Sequence, residues 1–525
     1  ARLARATHPG HHTLGVSITA TIARARCTSP ATTLTQHHDV LRLSFSQQAE
    51  GWTARHDAQP ATLLWQASVQ DAAELQALCE RAQRSLDLEQ GPLLRAVLFS
   101  LWDGSQRLLL VIHHLVVDGV SWRVLLEDLQ LAHGQLSAGQ PIVLPAKTSS
   151  TQAWAEHMQA YARSAQLQAQ LGYRQAQLQG VESTLPVDRA VAQLHNKDAA
   201  SVTIRLDQPY TQRLLQDAPA AYRTQINDLL LTALARVITR WTGDASALVQ
   251  LEGHGREDLF DDLDLTRTVG WFTSMFPVKL TPLPALADSI KQVKEQLRAV
   301  PNKGIGFGAL RYLGDEVAQA TLAALAVPRI TFNYLGQFDA SFDEQDSLFR
   351  PAGEAKGDDQ SPLAPLSNWL SVDGQVYGGE LSLSWTFSQQ MFNASTIQTL
   401  APDHARELKA LVHHCCEPPQ GAATPPHFPP ARSRLPPLDT LPPSPGAGAW
   451  PARAALGGAL PATAALLAAR HCPVPATDLG DLAYCSGWRV DRDPPAVGQP
   501  TAKPAPRAAA LFPAARCGAG GGTTD

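Results

Sequence analysis

Residues 93 to 136 carry the pattern that most narrows the fold. Two apolar stretches, 93 to 102 and 107 to 112, flank Asp103-Gly104, a dipeptide that supplies the positive φ angles of a tight reversal, so the spacing predicts a β-hairpin. The hairpin delivers His113 to a strand end. After Gly119 the apolar positions Val124, Leu125, Leu129 and Ala132 return at helical spacing, which predicts a helix over 121 to 136 and leaves a histidine pair on a strand-to-helix loop. Such an order implies a sheet with helices laid on it.

The rest of the chain extends that theme. An amphipathic helix is predicted over 71 to 86 from Leu75, Leu78, Cys79, Ala82 and Leu86, and a second, closed by Trp241-Thr242-Gly243, from Ile226, Leu229, Leu230, Ala233, Leu234, Val237 and Ile238. Strands are expected at 247 to 251, 329 to 333 and 381 to 387, the last alternating Leu381, Leu383, Trp385 and Phe387 on one face. Residues 152 to 178, rich in Gln and Ala, suit a solvated helix, and Pro186-Val187-Asp188 marks a change of lobe. The fold class is α/β with two sheet-bearing lobes, residues 1 to 180 and 181 to 432. From Pro418 the composition shifts to paired prolines with Ala, Gly and Arg, so residues 433 to 525 read as a low-complexity, disordered tail.

Composition excludes several classes. The 525 residues are 44% hydrophobic, ample for large cores, and 43 Lys and Arg against 48 Asp and Glu leave a formal charge of −5, too small for a nucleic-acid or membrane field. Seven cysteines without a CxxC pair argue against a disulfide framework or zinc ribbon and fit a reducing cytoplasm. No apolar run approaches the roughly 20 residues of a membrane-spanning helix. A start at Ala1 and only three Met suggest a piece of a longer protein.

The chemistry centres on His113-His114-Leu115-Val116-Val117-Asp118-Gly119-Val120-Ser121-Trp122. An imidazole exchanges protons near neutral pH, and a strand end fixes its direction. A short carboxylate such as Asp118 pairs with a backbone group or an arginine to hold a loop, and Gly119 lets a substrate approach the backbone. For an arbitrary His pair the plain reading is one core residue beside one surface residue, and for Glu252 alone it is a solvated carboxylate at a strand end. The strings around them change that weighting.

HHxxxDG followed by Ser-Trp resembles the signature of the condensation-domain superfamily of nonribosomal peptide synthetases, which share the fold of chloramphenicol acetyltransferase. Glu252-Gly253-His254-Gly255-Arg256-Glu257 is similar to the string characteristic of epimerization domains rather than of peptide-bond formers. Three further stretches resemble epimerization-domain motifs in family order: Val269 to Pro277, Pro301 to Gly308, and Phe332-Asn333-Tyr334-Leu335-Gly336-Gln337-Phe338-Asp339. The likeness runs from about Leu34 to about Arg432. It implies two lobes in a V, with His114 and Glu252 as acid/base residues facing a tunnel from opposite lobes. It also implies Asn333 and Tyr334 as substrate-binding residues, and His113, Asp118, Gly119 and Arg256 as the frame of the motifs. His254 shares the face of Glu252 or else orients the loop. The implied reaction inverts the Cα of an aminoacyl or peptidyl thioester on the phosphopantetheine of a peptidyl carrier domain, beside neighbouring synthetase domains. No metal or organic cofactor is implied. The rival readings are a condensation domain forming peptide bonds and an inactive scaffold that docks carriers.

Other motifs point elsewhere and carry less. Gly304-Ile305-Gly306-Phe307-Gly308-Ala309 matches a dinucleotide fingerprint but follows a helix-like stretch where that fold needs a strand. His37-His38-Asp39 precedes Val40-Leu41-Arg42-Leu43-Ser44-Phe45, which resembles a structural family motif, so core or loop is favoured over ligand. His413-His414-Cys415-Cys416 reads as a helix end because helix neighbours fan apart. No GxSxG elbow supports a serine hydrolase.

Both ends depart from the family pattern. Residues 1 to 33 lack the expected aromatic amphipathic start, which predicts that part of the first strand and helix is missing. A disturbed reading frame in a GC-rich gene accounts for this and for the tail together. Pro402 either interrupts the helical segment 395 to 416 or starts a new helix at its first position.

Overall fold

The computed structural model describes residues 11 to 18, 24 to 48, 51 to 56, 63 to 181, 183 to 337, 348 to 417 and 489 to 490, with backbone alone at 11 to 18, 24 to 29 and 489 to 490. In chain order come β1 (His11–Ile18), helix Arg24–His37, β2 (Leu43–Gln48), β3 (Gly51–His56), β4 (Leu64–Ser68), helix Ala72–Gln83, β5 (Leu94–Ser100), β6 (Gln106–His113) and helix Gly119–Ser137. Helices Thr151–Ala162, Ala165–Gln168 and Leu171–Leu178 lead to β7 (Ala199–Leu206), helix Ile226–Thr242, β8 (Ala247–Gly253), β9 (Ser274–Leu280) and helix Leu286–Arg298. Then follow β10 (Ile330–Gln337), β11 (Phe349–Pro351), β12 (Leu370–Tyr377), β13 (Glu380–Ser388), helix Ala394–Cys416 and β14 (Arg489–Val490). Apart from β14, which pairs with β3, the expected tail lies outside the described residues, as do Phe338 and Asp339.

Among the described residues the strands form two large mixed sheets flanked by helices, ordered β11-β1-β6-β5-β4 and β7-β13-β12-β10-β8-β9, and a small third sheet, β14-β3-β2. In the first sheet both faces are buried. Leu94, Ala96, Leu98, Leu108, Leu110 and Ile112 pack toward Leu125 and Leu129 of helix Gly119–Ser137, while Val97, Phe99, Leu109 and Val111 pack on Leu75, Cys79 and Ala82. The second sheet is two-faced. Val249, Leu251, Phe332, Val372, Leu383 and Trp385 bury against helices Ile226–Thr242 and Ala394–Cys416, whereas β12 alternates buried and exposed positions throughout. That alternation leaves one broad face polar, which is where a solvated site can form.

Three expectations need correction. β1 is present and pairs along its whole length with β6, from His11 opposite His113 to Ile18 opposite Gln106, and helix Arg24–His37 follows it. Strand pairing uses backbone groups, so a stretch without the expected aromatic pattern still completes the sheet. Residues 152 to 178 are three helices rather than one solvated helix: Ser164 caps a new start by accepting from the Leu167 amide, and Trp154, Met158, Tyr161 and Leu167 are buried. The third concerns Tyr334, whose ring packs on the core side of β10. Of the two readings of Pro402, the structure takes the interior one: it lies inside the single helix Ala394–Cys416, which continues through it. The lost amide bond, which costs about 3 kcal/mol or more, is offset by the buried face Ile397, Leu400, Ala401, Leu408 and Leu411.

In that helix His404 is fully buried with its Nε2 3.4 Å from the Leu230 carbonyl, and burial pushes its pKa down to about 4. The folded state therefore holds it neutral, while the unfolded chain takes up a proton below its ordinary 6.5. Stability is expected to fall as pH drops from 6.5 toward 4, by up to about 3 kcal/mol. Urea midpoints between pH 7 and 4.5 check this: His404→Leu should flatten the decline, and an equal decline in both proteins would refute the assignment.

Candidate active site

Hydrogen bonds and one ion pair join the five motifs. His113 ends β6, buried, and its Nδ1 accepts the Leu115 amide at 3.2 Å, closing the short turn that turns the chain away from the sheet. His114 is the next residue, partly exposed, with its ring tilted against that of Trp271 at 4.1 Å between centroids. Its Nδ1 lies 3.0 Å from the Val117 carbonyl oxygen. A carbonyl only accepts, so Nδ1 carries the hydrogen and the lone pair of the neutral ring falls on Nε2. Burial lowers the His114 pKa below its ordinary value and favours that neutral form.

Asp118 is the knot of the loop. Its buried carboxylate caps helix Gly119–Ser137 by accepting the Ser121 amide at 2.8 Å and the Ser121 hydroxyl at 2.7 Å. It also accepts the Phe272 amide at 3.2 Å and Arg256 Nη2 at 3.1 Å. Arg256 in turn donates to the Leu265 and Thr268 carbonyls and lies 4.3 Å above the Phe272 ring. These two residues bind loops 138 positions apart in the chain. Gly119 is exposed, with open space where a side chain would begin, so its steric need is not set by the protein itself.

The loop after β8 is equally constrained. A Cβ on Gly255, at φ +67°, would stand 1.5 Å from the Phe272 carbonyl oxygen, so only glycine lets the two segments meet. His254 turns into its own loop, its Nδ1 accepting the Arg256 amide at 3.0 Å and its Nε2 3.2 Å from Glu257. Glu257 also pairs with Lys303 Nζ at 2.8 Å. Lys303 and Asn302 both hold positive φ, at 48° and 45°, in the turn before Gly304, where a Cβ would meet the Phe276 ring at 2.1 Å. Such backbone persists only where its surroundings over-determine it.

Glu252 is the penultimate residue of β8 and accepts Asn333 Nδ2 at 2.8 Å from β10. Burial first, and the carboxylate of Asp373 second, push its carboxyl up to about 7. Asp373 stands opposite Asn333 in the parallel β10–β12 register, solvent-accessible yet ringed by protein that pushes its own carboxyl up to about 6. Glu252, Asn333 and Asp373 thus form one row on the polar face. Tyr334 does not join it. Successive strand residues face opposite ways, and Tyr334 lies over Gly374 on the side of Leu383, packed against the core, with burial raising its phenol to about 12. The expectation that it lines the same space as Asn333 fails for its ring on that geometry.

His114 and Glu252 come from different sheets but share one connecting segment. Trp271 touches His114 and Met275 pairs with Glu252 across β8 and β9. The two are four positions apart, at most about 14 Å of extended chain.

The sequence model of the family described as "Condensation domain" matches residues 3–428. The chain belongs to the condensation-domain family. Its condensation-domain relatives lie in nonribosomal peptide synthetases: one component of the linear gramicidin synthase of Brevibacillus parabrevis is 42% identical over 413 residues, 76% of this chain and 5% of that protein. Tyrocidine synthase 1 of the same organism is 38% identical over 75% of this chain and 37% of its own length. This chain spans 5% to 37% of the length of such curated relatives. Among solved structures, the epimerization domain from the third module of tyrocidine synthetase B superposes with a TM-score of 0.72 at 34% identity, covering 78% of this chain and 92% of that one. The X-domain from teicoplanin biosynthesis, at 20% identity and a TM-score of 0.63, shares the fold alone.

Within this condensation-domain fold, one residue escaped sequence reasoning. Asp373 belongs to no recognised string, although the alternation of Ser371, Asp373 and Gln375 marks a polar strand face. The other chemical clusters are structural. His38 Nε2 lies 2.9 Å from Asp128, whose other oxygen accepts Arg267, and with His37 these side chains are close enough to hold a metal. The Asp128 carboxylate is already spent on His38 and Arg267, and Lys147 beside His37 disfavours a cation there. His413 and His414 bond Tyr210 and Tyr222 at 2.7 and 2.8 Å at the end of their helix. The glycine-rich stretch at 304 follows helix Leu286–Arg298 rather than a strand. Among the described residues no helix is long and apolar enough to cross a membrane.

Proposed function

We propose that this domain epimerizes the Cα of an L-aminoacyl or peptidyl thioester held on the phosphopantetheine of a carrier domain, giving a D/L mixture during nonribosomal peptide synthesis in the cytoplasm. The observation that carries this reading is the Glu252 carboxyl, hydrogen-bonded by Asn333 and pushed up to about 7. Inversion requires a base on one face of the stereocentre and a proton donor on the other. A carboxyl poised near neutrality serves either role, and a neutral imidazole with its lone pair on Nε2 serves the complementary one. His114 removes the Cα proton, the thioester carbonyl takes the charge as an enolate, and Glu252 returns a proton from the opposite side. The reverse step exchanges their roles. The Glu252 to Glu257 string and the likeness to the tyrocidine epimerization domain support this over amide formation. The chemistry draws on no cofactor of the domain's own, and its partners are the carrier and the neighbouring synthetase domains.

The test loads a carrier protein with an L-aminoacyl group and incubates it with this domain in D2O. The D-isomer and one deuterium at Cα are expected. Amide formation with a second loaded carrier and no Cα exchange would overturn the proposal in favour of condensation. Carrier binding without exchange, unaltered by His114→Ala or Glu252→Gln, would overturn it in favour of a docking scaffold.

A further inference from the structure

We infer that Asp373 is a positioning residue that acts on the reaction through Glu252, as a negative charge held on the same face of the sheet. The inference rests on the proposed epimerization. Asn333 in β10 lies directly opposite Asp373 in β12, while on its other side it donates to Glu252 Oε2 at 2.8 Å from β8. One carboxamide is thus flanked by two carboxyl groups on one face of the sheet, two strand spacings apart, or about 10 Å between their backbones.

Asn333 is committed by its hydrogen bond to Glu252, and a carboxamide adds no charge to offset either neighbour. Two carboxylates so placed resist ionising together, and the one with less water around it gives way first. Glu252 is the less exposed of the two, consistent with its carboxyl at about 7 against about 6 for Asp373.

Asp373 is the charged group that acts on the Glu252 carboxyl, while His114, across the substrate in the proposed reaction, is favoured in its neutral form. β9 presents Met275 opposite Glu252, and β10 presents Asn333, with the Tyr334 ring on the other side. In the following loop His254 is turned toward Glu257 and Arg256 toward Asp118. Lys303, whose backbone approaches Gly253, places its ammonium on Glu257. Beyond Asp373 the row continues into Ser384 of β13, paired with Thr203 of β7 at 2.6 Å, both neutral.

The experiment compares wild type, Asp373→Asn and Asp373→Glu by the pH dependence of Cα deuterium exchange on a loaded carrier. It also titrates the Glu252 carboxyl carbon by NMR. At that separation one unit charge is worth about one pH unit, so Asp373→Asn should move both the alkaline limb and the Glu252 titration about one unit toward acid. Asp373→Glu should restore both. A rate reduced equally at every pH, with the limb and the titration unmoved, would overturn the inference and leave Asp373 merely structural. Absence of exchange in the wild type would instead remove the epimerization reading, while the titration still reports whether Asp373 loads Glu252. Because Asp373 is exposed, the substitution is compatible with folding, and in the wild type two-step titration of both carboxyl carbons tests the coupling without any variant.

Discussion

Conversion of the L- to the D-isomer is expected to fall by about 10²- to 10⁴-fold in Glu252→Gln, and by a similar factor in His114→Ala, with carrier binding preserved. Glutamine retains an oxygen to accept Asn333 Nδ2, so the row on the sheet face stays in place while the titrating proton is lost. The double variant should be little slower than either single one, because a base without its partner donor cannot complete inversion. The wild-type rate should follow a bell-shaped pH curve. The productive pair carries one proton between the two groups, so acid protonates both and alkali strips both. With His114 held below its ordinary pKa and Glu252 near 7, the maximum falls between them, on the acid side of neutrality. Quench-flow measurement of deuterium incorporation from pH 5 to 9 checks this, and a flat profile in an active protein would count against paired acid and base.

Arg256→Leu is expected to cost about 3–5 kcal/mol of folding stability, the second large effect. It leaves Asp118 buried with a charge and without its ion-pair partner, while the Leu265 and Thr268 carbonyls lose their donor. Asp118→Asn added to that background should recover part of the loss, because the uncompensated charge goes with it, although the helix cap on Ser121 is weakened. Urea unfolding of the single and double variants measures the difference. A cost under about 1 kcal/mol for Arg256→Leu would mean the knot of loops is held by packing alone.

Much of this organisation can be read from residues before any coordinates are known. The hairpin of β5 and β6 is legible because Asp103-Gly104 sets a local reversal, and helix Ile226–Thr242 because its apolar stripe and its closing glycine are both local signals. Glu252 and His114 stand out through the strings around them. Asp373 does not, since its relation to Glu252 exists only through the pairing of β12 with β10 and of β10 with β8, a register that no short window contains. Residues 152 to 178 mislead because glutamine and alanine dominate the composition while Trp154, Met158 and Tyr161 set the packing. Tyr334 misleads in the opposite way. Adjacency to Asn333 suggests a shared role, yet the pleat sends neighbouring side chains to opposite faces.

β11 has a consequence for how the protein is made. Phe349–Pro351 closes the edge of the first sheet on β1, and the chain after it stays there: Glu354 pairs with Arg107 at 2.6 Å and the Lys356 carbonyl accepts Gln83. A nascent chain that has emerged only as far as residue 340 therefore displays residues 16 to 18 of β1 with their outer amides and carbonyls still unclaimed, an invitation to pairing with a neighbouring polysome product. Dividing the gene between the two sheets would make that temporary hazard permanent, so the halves are best produced as one polypeptide.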